Sequence, residues 1–129
     1  MNMPPNHPFE VIAHAADIVV LLVAILHVYI LVLEMFLWDR PTGRKAFGLT
    51  REFATQTRVL ASNQGLYNGF LAAGLFWGLY LGMAGHNVKV FFLLCVLVAG
   101  IYGAATASKR ILFIQAVPAA IGLVLLFLA

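Results

Sequence analysis

Apolar residues in this chain fall into four long runs, at about 11–38, 59–83, 88–107 and 111–129, separated by short polar or charged stretches. Each run is long enough to read as a membrane-crossing helix rather than as the core helix of a water-soluble domain. At 1.5 Å per residue the first would reach roughly 42 Å, beyond the ~30 Å hydrocarbon core, so it must tilt or protrude. Asp39-Arg40-Pro41 closes it, because charge stops insertion and Pro41 disfavours helix in the residue before it. Thr50 followed by Glu52 is placed to cap an extension of the second helix ahead of residue 59. Ala84-Gly85-His86-Asn87 is expected to turn the chain into the third run, and Ser108-Lys109-Arg110 into the fourth.

Composition agrees with the pattern. Of the 129 residues 63% are hydrophobic and 10% charged, and the mean hydropathy is +0.96. The expectation is an all-α membrane protein, a four-helix transmembrane bundle forming one domain over residues 1–129. The single cysteine, Cys95, lies in an apolar run and has no intrachain partner for a disulfide. Residues 1–10 contain no lysine or arginine, and the apolar run after them is too long for a signal-peptide core, so the first span is expected to be retained.

Charge sets an orientation. Of the eight lysines and arginines, Arg40, Arg44, Lys45, Arg51 and Arg58 lie between spans one and two, and Lys109 and Arg110 between three and four, leaving Lys89 alone on the opposite side. By the positive-inside rule both basic loops, 39–58 and 108–110, face the cytosol and both termini face out. The expected location is the inner membrane of a bacterium, with several passes. The basic residues act as topology determinants and attract anionic lipid; nucleic acid is not an expected partner. Phe47 and Leu49 are expected to dip into the interface from the long loop.

Polar side chains in lipid are costly, about 3 kcal/mol for a charged group at a helix centre, so they need protein or water to face. Once oriented, they share a depth. Glu34 lies about one turn from the cytosolic end of span one, and Asn63 and Gln64 lie equally deep in span two. Tyr67 and Asn68 sit one turn deeper, Tyr102 comes from span three and Gln115 from span four. At about 100° per residue, Asn63 and Tyr67 share one face and Gln64 and Asn68 the next, while His27, Leu31, Glu34 and Trp38 form a stripe on the first helix. The pattern predicts a polar chamber open to the cytosol, with Arg58 and Arg110 at its mouth. A lipid or small amphiphile is the expected ligand; no cofactor is specified.

A second reading needs no ligand. Interhelical Asn, Gln and Tyr hydrogen bonds hold spans together at an average of about 0.6 kcal/mol per contact. Glu34 fits that role less well, because a buried carboxylate needs a partner such as Arg58, Arg110 or a neighbouring amide. His27 is either a proton carrier or haem ligand, or a histidine bonded to a neighbouring helix. His7, His14, His27 and His86 are spread over depths and faces, so no metal site is expected. The sequence has no glycine-rich phosphate loop, HExxH, CxxC or nucleophile elbow.

Small residues predict where helices approach. Gly74, Gly78 and Gly82 recur every fourth position on span two, with Gly65 and Gly69 on roughly the opposite side. Gly100, Gly103, Ala104 and Ala107 form a stripe on span three, and Pro118 with Gly122 is expected to bend span four. Two glycine faces in so small a bundle favour a homo-oligomer, dimer or trimer; tight packing within one subunit is the alternative.

The segment 30–38, ILVLEMFLW, with Phe47 and Asn63-Gln64-Gly65-Leu66-Tyr67-Asn68-Gly69, resembles a family of small bacterial four-span inner-membrane proteins catalogued as a domain of unknown function. That resemblance covers nearly the whole chain and implies the topology without an activity. A weaker one is to the membrane-associated proteins in eicosanoid and glutathione metabolism, which have four spans, termini away from the cytosol and trimeric assembly. Asn63 and Tyr67 match that family's asparagine and tyrosine, whereas Leu66 replaces its acid and Arg58 lies five rather than four residues before Asn63. It implies a glutathione-transferase-like enzyme in which an arginine stabilises a thiolate and Asn63 and Gln64 hold a small thiol.

Small proton-coupled exporters also carry a glutamate in the first of four spans, but need nearly balanced loop charge and a shorter first loop. Ranked by fit, the sequence favours an amphiphile-binding membrane protein, then the thiol enzyme, then an accessory subunit or small transporter.

Overall fold

The structure, a computed structural model, describes residue 4 and residues 6–129; residues 1–3 and 5, at the start of the expected external N-terminus, lie outside it. All regular structure among the described residues is helical. The order is α1 (Pro8–Phe36), α2 (Pro41–Phe47), α3 (Arg51–Tyr80), a 3-10 turn (Gly82–Gly85), α4 (His86–Thr106), a π-helical turn (Leu112–Ala116) and α5 (Val117–Leu128).

Among the described residues two helices are long and apolar enough to cross a membrane: α1, and α4 together with the 3-10 turn before it. At 30 residues α3 is as long as α1, but its polar run at 63–68 breaks the apolar stretch. The segment Leu112–Leu128 is a shorter apolar helix.

Local chemistry accounts for the boundaries. Pro8 opens α1, where its missing N–H is no loss, and His7 Nδ1 accepts the Phe9 amide at 3.3 Å. The helix ends at Phe36, two residues before the expected limit, because the chain bends with the Arg40 amide on the Leu37 carbonyl at 3.1 Å. Pro41 does more than close the first span: it starts α2 inside a segment expected to be loop, and Gly48, with φ 66°, ends α2 in the left-handed conformation. Thr50 caps α3 as expected, its Oγ1 accepting the Phe53 amide at 3.2 Å.

The second turn differs from its expected position. Gly82 takes φ +63° and ends α3, so the turn falls at 82–85 and α4 already begins at His86. Gly82 is therefore not the third member of a helical glycine stripe. Near the end of the chain the Val117 amide reaches back five residues to the Leu112 carbonyl. The following Pro118 accounts for this π turn, since its ring displaces the carbonyl four residues before it.

Packing divides the chain into two compact units, residues 1–24 with 74–129, and residues 25–73. In the first, Val20, Leu75, Leu93, Val96 and Ala119 are fully buried. A Cβ on Gly78 would lie 2.6 Å from Lys89 Cγ and 3.1 Å from the Lys89 backbone nitrogen, so only glycine permits that approach of α3 and α4. Gly100 meets Ala116 in the same way. Lys89, the lone external cation of the sequence pattern, is buried and donates from Nζ to Asp17 Oδ1 at 2.9 Å.

In the second unit Ala54, Ala61 and Leu33 are buried, and Gly65 lies against Met35 and Glu34 of α1. Gly69 lies against Leu31. Both glycine faces of α3 thus lie against residues of this chain's own helices.

Candidate functional site

Within the second unit, Glu34 sits almost at the end of α1, where Phe36 closes the helix. It is 7% exposed. Gly65 lets α3 come close enough that Asn68 Nδ2 donates to Glu34 Oε1 at 2.5 Å. Asn68 is the polar partner of the carboxylate among the described residues, and it is one of the partners the sequence pattern allowed, a neighbouring amide.

A groove of about 490 Å³ opens beside this pair. Glu34 and Trp38 of α1 line one side, and Phe53, Thr57, Leu60, Ala61, Asn63, Gln64 and Tyr67 line the other from α3. The α3 residues recur at three- and four-residue intervals, so one helix face supplies most of the wall. Trp38 is fixed there. Its Nε1 donates to Thr57 Oγ1 at 3.0 Å, and its ring packs on Phe47 of α2 with centroids 4.9 Å apart. Phe47, expected at the membrane interface, thus holds Trp38 in place. Phe53, Thr57, Leu60 and Ala61 are the lining residues of α3 that the sequence pattern missed; the spacing of Phe53, Thr57 and Leu60 with Gln64 was the available signal.

The remaining expected residues divide. Asn63 is exposed and donates from Nδ2 to its own helix, at the Val59 carbonyl, 2.9 Å away. Gln64 and Tyr67 line the groove and are exposed. Arg58 does not line it: its Nη1 lies 3.6 Å from Asp39 Oδ2, on an exposed surface. Tyr102 and Gln115 belong to the first unit. There Tyr102 is exposed, its carbonyl accepting from Thr106 Oγ1 at 2.8 Å, and Gln115 Nε2 donates to the Val96 carbonyl at 3.2 Å. That last bond satisfies a half-buried amide between two helices. His27 is fully buried. Among the described residues no group of three or more His, Cys, Asp or Glu is arranged to hold a metal ion.

These features define a small helical protein with, among the described residues, two helices long and apolar enough to cross a membrane, and an open, mostly apolar groove beside a buried carboxylate. Residues 21–127 match the family described as "Protein of unknown function (DUF1304)", and the chain belongs to it. It is similar to "Uncharacterized protein YpaA" of Lactococcus lactis subsp. lactis (strain IL1403), at 31% identity over 97 residues, covering 74% of this chain and 82% of that protein. No solved structure matches the chain. Neither description carries an activity to this chain, so a functional reading must come from the groove.

Proposed function

We propose that this chain is a four-span integral protein of a bacterial inner membrane, with both termini outside, whose groove binds the polar head of a lipid or small amphiphile on the cytosolic side. The membrane reading rests on helices that are apolar all round yet mostly uncovered. Only 33% of the most apolar stretch of α1 and 22% of that of α4 is buried, whereas a helix of that character in water-soluble proteins lies in the core. Leu22, Phe91, Val98 and Phe127 are each at least 60% exposed, an apolar surface that lipid chains would cover.

The observation that carries the binding reading is Glu34: a buried carboxylate with one neutral partner, set in the wall of an open groove whose other walls are aromatic and aliphatic side chains with one threonine and two amides. Apolar walls with a few convergent polar groups are the usual composition of small-molecule sites. The thiol-enzyme reading fits less well, because it requires a cation beside the thiolate and Arg58 is engaged by Asp39.

Photolabelling tests the proposal. A long-chain amphiphile carrying a diazirine next to its head group, reconstituted with the protein, is expected to label peptides containing Trp38, Phe53 or Leu60, and excess unlabelled amphiphile to suppress the labelling. Labelling spread evenly over exposed apolar residues such as Phe91 and Phe127, with no suppression, would count against a site.

A further inference from the structure

We propose that the groove selects amphiphiles with a positively charged, ammonium-type head; this rests on the amphiphile-binding reading above and names the ligand class it implies. The occupant to which the site commits is a free amine-headed amphiphile with a single apolar body, rather than a bilayer phospholipid.

Charge complementarity is the basis. Glu34 is the carboxylate in the lining, and no lysine, arginine or histidine lines the groove among the described residues. The nearest cation in sequence to the α3 lining, Arg58, is held by Asp39 at 3.6 Å. The chain carries a formal charge of +3, yet this groove presents only an acid. A buried carboxylate whose single polar contact is the Asn68 amide is under-compensated, and an ammonium group would supply the missing opposite charge.

The aromatic walls favour the same sign. The rings of Trp38, Phe53 and Tyr67 border the groove, and the negative faces of aromatic rings attract ammonium groups. Trp38 is held by Thr57 and Phe47 before any ligand arrives, so that part of the wall needs little ordering on binding. An anionic head would meet the Glu34 charge with no arginine to offset it. The groove, at about 490 Å³, suits a head group with part of one tail.

The test uses one hydrophobic body with three heads: the trimethylammonium, unsubstituted and propionate forms of diphenylhexatriene. The protein carries two tryptophans, so Trp77→Phe leaves Trp38, in the groove wall, as the emitter whose energy transfer to the probe reports occupancy. In dodecyl maltoside micelles, whose head carries no ammonium group, the ammonium probe is expected to quench saturably, with an apparent affinity about tenfold or more above those of the neutral and anionic probes. Glu34→Gln keeps the amide contact and should abolish that preference.

Saturable quenching independent of head charge, or a preference unchanged in Glu34→Gln, would overturn the ammonium assignment while leaving amphiphile binding standing. No saturable quenching by any of the three would overturn both. Displacement of the ammonium probe on adding phosphatidylethanolamine to the micelles would overturn the commitment to a free amphiphile. The comparison among probes is made on unaltered Glu34, so it decides the question even if Glu34→Gln does not fold.

Discussion

Asn68 Nδ2 donates to Glu34 Oε1 at 2.5 Å, joining a glycine-lined face of α3 to the end of α1 and leaving the carboxylate in the wall of a groove. The contact has two separable consequences, one for stability and one for binding.

Asn68→Leu removes the single polar partner of a buried carboxylate and should destabilise the protein by about 1–3 kcal/mol in detergent unfolding. The double variant Glu34→Leu with Asn68→Leu should recover most of that loss, because replacing both partners by apolar groups can be nearly neutral. It should not recover amphiphile labelling. A double variant that is stable and still labelled would show that the pair acts only as helix glue.

The Asp17–Lys89 pair makes an asymmetric prediction. The Lys89 side chain is 6% exposed and that of Asp17 43%. Asp17→Ala strands a buried ammonium and should cost up to about 3 kcal/mol, whereas Lys89→Met keeps the side-chain stem over Gly78 and should cost less. Thermal unfolding of the two variants in the same detergent checks the order, and equal losses would mean that Lys89 reaches water.

Much of this was legible in the sequence. The apolar runs gave the helices, and Thr50 marked the start of α3 through its capping chemistry. The segment 41–47 was not legible as a helix, because Pro41 was read as a stop for the preceding span although proline also suits a helix start. Gly82 looked like part of a packing stripe because spacing alone cannot separate a helical glycine from one with φ +63°. For Glu34, sequence narrowed the partner to an arginine or an amide. The choice of Asn68 depended on how closely Gly65 lets the helices approach, which no local pattern encodes. Asp17 and Lys89 lie 72 positions apart, and only the fold pairs them.

Gly78→Val should be more damaging than Gly103→Ala. At Gly78 the new Cβ would lie 3.1 Å from the Lys89 backbone nitrogen, whereas at Gly103 it would meet only side-chain atoms of Ile111, at 3.2 Å and beyond. Overpacking of this kind costs about 1–3 kcal/mol. The stability of the two purified variants decides it, and a smaller loss at Gly78 would contradict the close approach of α3 and α4.

Orientation is open to a direct check. With Cys95→Ser as background, Asn87→Cys in intact cells should react with a membrane-impermeant maleimide, and Lys45→Cys should react only after permeabilisation. Reaction of Lys45→Cys in intact cells would reverse the assignment of the groove to the cytosolic side.

The central claim is that the groove beside Glu34 holds an amphiphile, and native mass spectrometry of the intact protein released from mild detergent tests it most directly. Unaltered protein is predicted to carry one additional mass corresponding to an amphiphile, and the double variant Leu60→Trp with Gln64→Trp, which fills the groove from two exposed lining positions, to lose that mass while retaining its helical content. Bare protein in both cases, or the same adduct on both, would contradict the claim.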